Sequence, residues 1–306
     1  PPPPFQAEDG IRDRRKSLVG SEMCIRDRVK RLYRAKKAGH TGSLDPAATG
    51  MLPLCFGEAT KVCAFLLDAD KTYRVTAKLG SRTDTGDATG AEVETANVPQ
   101  LAAGQWREVL ESFLGESLQV PPMYSALKQG GKRLYELARK GQTVEREARP
   151  IRVYAIELFE IAGARLVFRV HCSKGTYVRT LVEDIAARVG TVAHTASLHR
   201  ESVGVFAGSD MLDMAAIEAV AEEGQEALRG RLLPPDAALG DMPALELDAT
   251  NAAKFAAGQE ILVPGTATDG LVRVYEKGEI FRGVGDLAKD GRLAPKRVFR
   301  TAEKNS

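Results

Sequence analysis

Gly39-His40-Thr41-Gly42-Ser43-Leu44-Asp45-Pro46-Ala47-Ala48-Thr49-Gly50-Met51 places three glycines, one histidine and an Asp-Pro step in thirteen residues, with neither a helical nor an alternating apolar period. Glycine permits backbone conformations and close approaches that a β-carbon blocks. Pro46 biases Asp45 toward an extended conformation. Two readings follow. The stretch is a rigid loop presenting one carboxylate, or Asp45 caps a helix beginning at Ala47 and running to Leu54, since Asp-Pro is a common helix start. Local signals alone favour the cap.

Working outward, Val29, Leu32 and Tyr33 are spaced as one helical face in a short basic segment, Val29 to Lys37. Met51 to Leu67 predicts a strand passing into a helix. Lys71 to Gly80 alternates and carries β-branched and aromatic residues, which predicts a strand. Ser81 to Gly90 reads as a polar loop, and Leu101 to Leu114 as an amphipathic helix with Trp106 as core anchor. Ile151 to Ile161 and Arg165 to Cys172 predict adjacent antiparallel strands. Thr176 to Val189 predicts a helix with Val178, Leu181, Val182, Ile185 and Ala186 on one face and Gly190 past its end. Tyr177 and Arg179 then fall in its first turn. A guanidinium gains nothing from the macrodipole there, which calls for a carboxylate partner, and Asp45 is the candidate. Ala193 to Val205 is strand-like and holds Leu198; Met211 to Leu228 is helical. Residues 229–243, with Pro234-Pro235 and Gly240, read as a linker. A short helix at Asn251 to Ala257 and strand-like runs at 261–263, 271–275, 279–283 and 297–300 predict a small β-rich unit. Its basic residues are Lys289, Arg292, Lys296, Arg297 and Arg300.

Val120 to Pro150 is opened by Pro121-Pro122 and broken by Gly130-Gly131. It interleaves Lys128, Lys132, Arg133, Arg139 and Lys140 with Tyr124 and Tyr135. Cations among aromatics in a glycine-punctuated insertion suit an RNA-gripping element; a solvated helix face balanced by Glu136, Glu145 and Glu147 is the alternative.

The run Gly39 to Gly50 resembles the catalytic motif of the bacterial TruB-type tRNA pseudouridine synthases, which isomerise uridine-55 in the T arm. The resemblance continues through Leu52-Pro53, Gly57-Glu58-Ala59-Thr60-Lys61, Asp70-Lys71-Thr72-Tyr73-Arg74, Arg82-Thr83-Asp84-Thr85, Pro122-Met123-Tyr124-Ser125-Ala126-Leu127-Lys128 and His171 to Arg179. It covers roughly residues 29–302. It implies an α+β fold whose mixed, largely antiparallel central sheet is flanked by helices, in a catalytic domain over 29–228 with a thumb at about 120–150. The β-rich unit at 244–302 becomes a PUA-like RNA-binding domain. Asp45, Tyr73 and Arg179 are the implied catalytic residues; His40, Tyr73, Tyr177 and Leu198 are the implied substrate-binding residues. The thumb cations Lys128, Lys132, Arg133, Arg139 and Lys140 would close over the T-loop, and the C-terminal domain would lie near the acceptor stem. By itself a loop histidine is a surface hydrogen-bonding group, and Leu198 and Tyr73 are packing residues.

Residues 1–28 stand apart. Four prolines open them, Ile11-Arg12-Asp13-Arg14 recurs as Ile25-Arg26-Asp27-Arg28, and no helix or strand period is sustained. The strand and turn with which the family begins are missing, and the segment reads as foreign or disordered. A basic RNA-binding arm is the alternative.

Composition sets the outer limits. The 306 residues can bury a sizeable core, and 43% hydrophobic with 27% charged is ordinary for a globular protein. A net charge of +2 means that a polyanion is held by local patches. Of four cysteines, Cys55, Cys63 and Cys172 sit in apolar runs and read as reduced core thiols, which favours the cytoplasm. No apolar run reaches membrane-span length, and no sequence feature calls for a protein partner. Uridine isomerisation has no net redox change, and no P-loop, dinucleotide fingerprint or metal-ligand motif is present, so neither cofactor nor metal is expected. The competing class is a tRNA-binding folding factor that grips the T arm without chemistry. A hydrolase built on Asp45 ranks third, because no second carboxylate has the context to activate water.

Overall fold

The computed structural model describes residues 6–7, 22–264, 269–277 and 280–299. The chain lays down β1 (Gln6–Ala7), α1 (Glu22–Leu32), β2 (Ala38–His40), β3 (Ala48–Met51) and β4 (Leu54–Phe56). A 3-10 turn, Gly57–Lys61, leads into α2 (Cys63–Leu67), then β5 (Lys71–Leu79), β6 (Ser81–Thr83) and β7 (Glu92–Thr95). Next come α3 (Ala103–Glu111), β8 (Gly115–Gln119), β9 (Lys128–Gln129), β10 (Lys132–Arg133) and α4 (Leu134–Ala138). β11 (Arg149–Ala162), β12 (Arg165–Cys172), α5 (Val178–Arg188) and β13 (Ala193–Val203) complete the central layer.

The central sheet runs β1-β3-β13-β5-β12-β11-β8, and Phe206–Ala207 pairs with β13 off this path. Every pairing in the sheet is antiparallel except β3 with β13. Alternation decides which face is dry. On β5, Val75, Ala77 and Leu79 are buried while Arg74 and Lys78 face water. Trp106 and Leu110 of α3 and Leu181, Val182 and Ile185 of α5 share a core with Phe168 and Leu166 of β12. Full burial contributes about 2–3 kcal/mol for each of these large side chains. The sheet, flanked by helices, is the α+β architecture expected.

A second, five-stranded sheet runs 244–247, 270–276, 280–287, 292–298, 261–262, with Phe255 of the helix Ala249–Ala256 fully buried against it. Val284 and Phe299 of this unit share an apolar cluster with Cys55, Val62 and Leu66. Residues 229–243 are packed rather than loose. They contain the 3-10 turn Pro235–Leu239, Leu239 is buried in the same cluster, and Tyr275 donates to the Asp236 carboxylate at 2.7 Å.

Several local expectations are corrected. The helix expected over Met211 to Leu228 is two, Met214–Glu223 and Gln225–Arg229, broken at Gly224, whose φ of +117° no helix accommodates. Ser81 to Gly90 is partly strand, because β6 pairs with β7. Tyr177 is the N-cap of α5 rather than part of its first turn (φ −91°, ψ 105°). The helix expected from Val29 begins earlier, at Glu22, inside the stretch read as aperiodic. Ile25 and Val29 lie one turn apart and both pack against Ile217, Val220 and Leu228. Arg300 and most of the anomalous segment, residues 1–5 and 8–21, lie outside the described residues.

Candidate active site

The Asp45 loop leaves β2 at His40 and enters β3 at Ala48. The amide of Ala48 donates to the Asp45 carbonyl at 2.8 Å, closing a turn, and the chain then runs extended. No helix follows, so the capping alternative is overturned: Asp45 is a presented carboxylate. Leu44 and Leu52 are buried on either side and anchor the loop. Gly50 has φ +101°, and a β-carbon there would stand 2.3 Å from the Arg200 carbonyl oxygen, so only glycine lets β3 reach β13 at this point.

Arg179, in the first turn of α5, meets that carboxylate as a two-pronged fork. Its Nε donates to Asp45 Oδ2 at 2.8 Å and its Nη2 to Oδ1 at 2.9 Å. Two more N–H groups reach backbone carbonyls, Nη1 to Thr85 at 2.7 Å and Nη2 to Tyr124 at 2.8 Å. The Arg179 side chain is 5% exposed and that of Asp45 is 33% exposed. The guanidinium is therefore locked inside while the carboxylate stays partly exposed. Bidentate pairing fixes the plane of the carboxylate. Thr85 and Tyr124 tie the turn after β6 and the start of the 120–150 insertion to the same guanidinium.

Tyr73 and Leu198 come from adjacent strands. Leu198 pairs with Val75 of β5 and with Ala48 of β3, three residues past Asp45, and it is buried. Burial pushes the Tyr73 phenol up, the Asp45 charge adds to the rise, and the Arg200 cation opposes both. Tyr177 is also raised, chiefly by burial, with the same Asp45 carboxylate contributing and Arg179 opposing. Both phenols therefore stay protonated near neutral pH, inside the field of Asp45. The fold thus gathers Asp45, Arg179, Tyr73, Tyr177 and Leu198. His40 is placed at the start of the same loop, where it pairs with Leu54. Its Nδ1 is buried without a hydrogen-bond partner, and among the described residues no hydrogen bond joins the ring to the Asp45–Arg179 pair.

The insertion forms a β9–β10 hairpin followed by α4. Lys128, Lys132, Arg133, Arg139 and Lys140 are all exposed. Arg133 and Arg139 lie over the Tyr135 ring at 5.8 and 5.5 Å, and Arg133 Nη1 donates to its hydroxyl at 3.2 Å.

The sequence matches three family models end to end: TruB family pseudouridylate synthase (N-terminal domain) over residues 30–178, the tRNA pseudouridylate synthase B C-terminal domain over 179–240, and the pseudouridine synthase II TruB C-terminal domain over 243–299. The tRNA pseudouridine synthase B of Nitrosococcus oceani is 49% identical over 272 residues, covering 89% of this chain and 88% of that protein. That of Sodalis glossinidius is 47% identical over 297 residues, 95% of each. The chain belongs to the TruB family of pseudouridine synthases. In the crystal structure of a Cbf5-Nop10-Gar1 complex, one chain superimposes with a TM-score of 0.75 at 23% identity, covering 97% of this chain and 84% of that one. At that identity the likeness speaks for the fold.

Two polar side chains of this TruB-family site carry little signal in the sequence. Gln119, 4% exposed, accepts from the Tyr177 amide at 2.8 Å and donates to the Tyr177 carbonyl at 3.1 Å, clamping the start of α5. Arg200 is buried beneath the Asp45 loop. The one signal for Arg200 is its spacing of two from Leu198, which puts an arginine on the apolar face of a strand. Gln119 ends a strand of ordinary polar pattern and gives no such signal.

Proposed function

We propose that this chain is a tRNA pseudouridine synthase that converts uridine-55 of the T-loop to pseudouridine. The observation that carries the reading is the partly exposed Asp45 carboxylate, held by both prongs of Arg179 with two protonated tyrosines in its field. The family membership and the names of the relatives, tRNA pseudouridine synthase B, support the choice of tRNA.

The reaction breaks the N1–C1′ glycosidic bond, turns the base and forms a C5–C1′ bond. The proton on C5 is lost and N1 ends protonated, so atoms and electrons balance within the nucleotide and water. The base must first leave its stack, at a cost of a few kcal/mol. In our reading His40 fills the vacated space. Tyr73 stacks on the extruded base, with Tyr177 and Leu198 lining the pocket. Asp45 acts at the glycosidic bond as an ionised carboxylate, whose orientation Arg179 fixes. Lysine could not reproduce a two-pronged contact.

We assign catalysis to residues 29–228, with the thumb at about 120–150 gripping the T stem-loop through its exposed cations. The linker is 229–243, and the PUA-like domain at 244–302 lies toward the acceptor stem. The exposed Lys289 and Arg297 suit a phosphate backbone, whereas Arg292 and Lys296 are paired with Asp290 and Asp286. The free thiols of Cys55, Cys63 and Cys172 accord with the cytoplasm.

Release of label from tRNA carrying tritium at C5 of uridine tests the reading. The expected outcome is release in proportion to pseudouridine formed. Tight binding with no release would instead favour the folding-factor alternative.

A further inference from the structure

Arg200 occupies a core-facing position on β13, in register with Tyr73 of β5 on one side and Gly50 of β3 on the other. It is 1% exposed, and among the described residues no carboxylate pairs with it. Burying a guanidinium without a counter-ion is costly unless its donors are used, and here three backbone carbonyls and the Tyr73 hydroxyl use them. Nε donates to Met51 at 2.7 Å, Nη1 to Ser43 at 3.2 Å and Nη2 to Gly42 at 3.4 Å. Those carbonyls lie on both sides of Asp45 in sequence, so one side chain spans the loop from its first residues to its last. A neutral side chain of similar length would fill the same volume without the desolvation cost. The positive charge is therefore unexplained by packing, whereas its donors meet the loop at three points.

We propose that Arg200 is a positioning residue for the uridine isomerisation: it braces residues 42–51 at both ends so that the Asp45 carboxylate stays on the Arg179 fork. Arg200 acts through the loop and does not touch the nucleotide. The inference rests on the reading of Asp45 as the catalytic carboxylate.

The test uses the full chain and tritium-labelled tRNA under single turnover at saturating enzyme, with Arg200→Met, Arg200→Lys and Asp45→Asn measured together. Arg200→Met is expected to lower the rate of label release tenfold or more, leave tRNA affinity within threefold, and speed amide hydrogen exchange across residues 40–50. Lysine donates from one point instead of a fork, so Arg200→Lys should lose threefold or more and lie between Met and wild type. A folded Arg200→Met that loses less than tenfold, whose loss lies wholly in affinity, or whose exchange across residues 40–50 is unchanged, which would place the effect at the Tyr73 hydroxyl instead, overturns the proposal. If Arg200→Met does not fold, Arg200→Lys decides: a loss under threefold overturns it and a larger one supports it. Label release that persists in Asp45→Asn would instead remove the catalytic reading itself, whatever Arg200 does.

Discussion

The Asp45 loop and the thumb are both glycine-punctuated segments that Arg179 touches, at the Asp45 carboxylate and at the Tyr124 carbonyl, yet they are held in opposite ways. The loop is gripped by two buried guanidiniums, Arg179 at its carboxylate and Arg200 at its carbonyls, and is anchored by Leu44 and Leu52. The thumb hairpin has exposed cations, and Gly130 and Gly131 have nothing within 4 Å of where a β-carbon would sit. Rigid placement suits bond-breaking, where a small displacement of the reacting group is costly in rate. Loose placement suits a grip on a polyanion, where many weak interactions add up. The two segments should therefore respond to substitution in different ways, the loop in turnover and stability, the thumb in salt-dependent affinity.

Apart from removal of the Asp45 charge itself, the largest effect is expected at the fork. Arg179→Lys replaces a planar two-pronged grip with a point charge. Turnover should fall by about 100-fold, in the range typical of removing one electrostatic partner at a reacting centre. Single-turnover label release checks this, and a loss appearing only in affinity would place the fork outside the chemistry. Next come paired glycine substitutions. Gly50→Ala combines φ +101° with a 2.3 Å clash against the Arg200 carbonyl oxygen, and should destabilise the fold by about 3 kcal/mol. Gly131→Ala, at φ +80° in open space, should cost about 1 kcal/mol. Thermal or urea unfolding compares the two, and equal costs would erase the contrast between loop and thumb. The smallest effect belongs to the thumb lysines. Lys128→Ala with Lys132→Ala should leave the single-turnover rate at saturation unchanged. The slope of log affinity against log salt should shrink by about 0.7–0.9 for each phosphate that is no longer neutralised. An unchanged slope would mean that these cations face solvent alone.

Legibility from the sequence followed the same divide. The pairing of Asp45 with Arg179, across 134 residues, could be reached because a guanidinium in the first turn of a helix calls for a carboxylate and the loop motif supplied one. The β5, β11 and β12 strands were visible because one face is apolar and the other wet, which writes a period of two into the residues. Arg200 was nearly hidden, its spacing from Leu198 apart, because the same pattern rule treats arginine as a solvent-facing residue, and its partners in the loop are carbonyls that every residue carries. The break at Gly224 was hidden for a related reason: its apolar neighbours keep helical spacing across it, and only the φ of +117° reveals that the chain turns. The helical turns before Val29 were masked by Arg26, Asp27 and Arg28 beside Ile25, whose partner surface lies almost two hundred residues away at Ile217. His40 remains where the motif put it, at the head of the loop.

The central claim is that one carboxylate, Asp45, performs the chemistry while other residues hold the RNA. Asp45→Asn keeps the shape of the side chain and removes its charge. Measured at saturating enzyme with C5-tritiated tRNA, that variant should release no label above background while binding tRNA within a few-fold of wild type. Label release at a rate comparable to wild type would contradict the account.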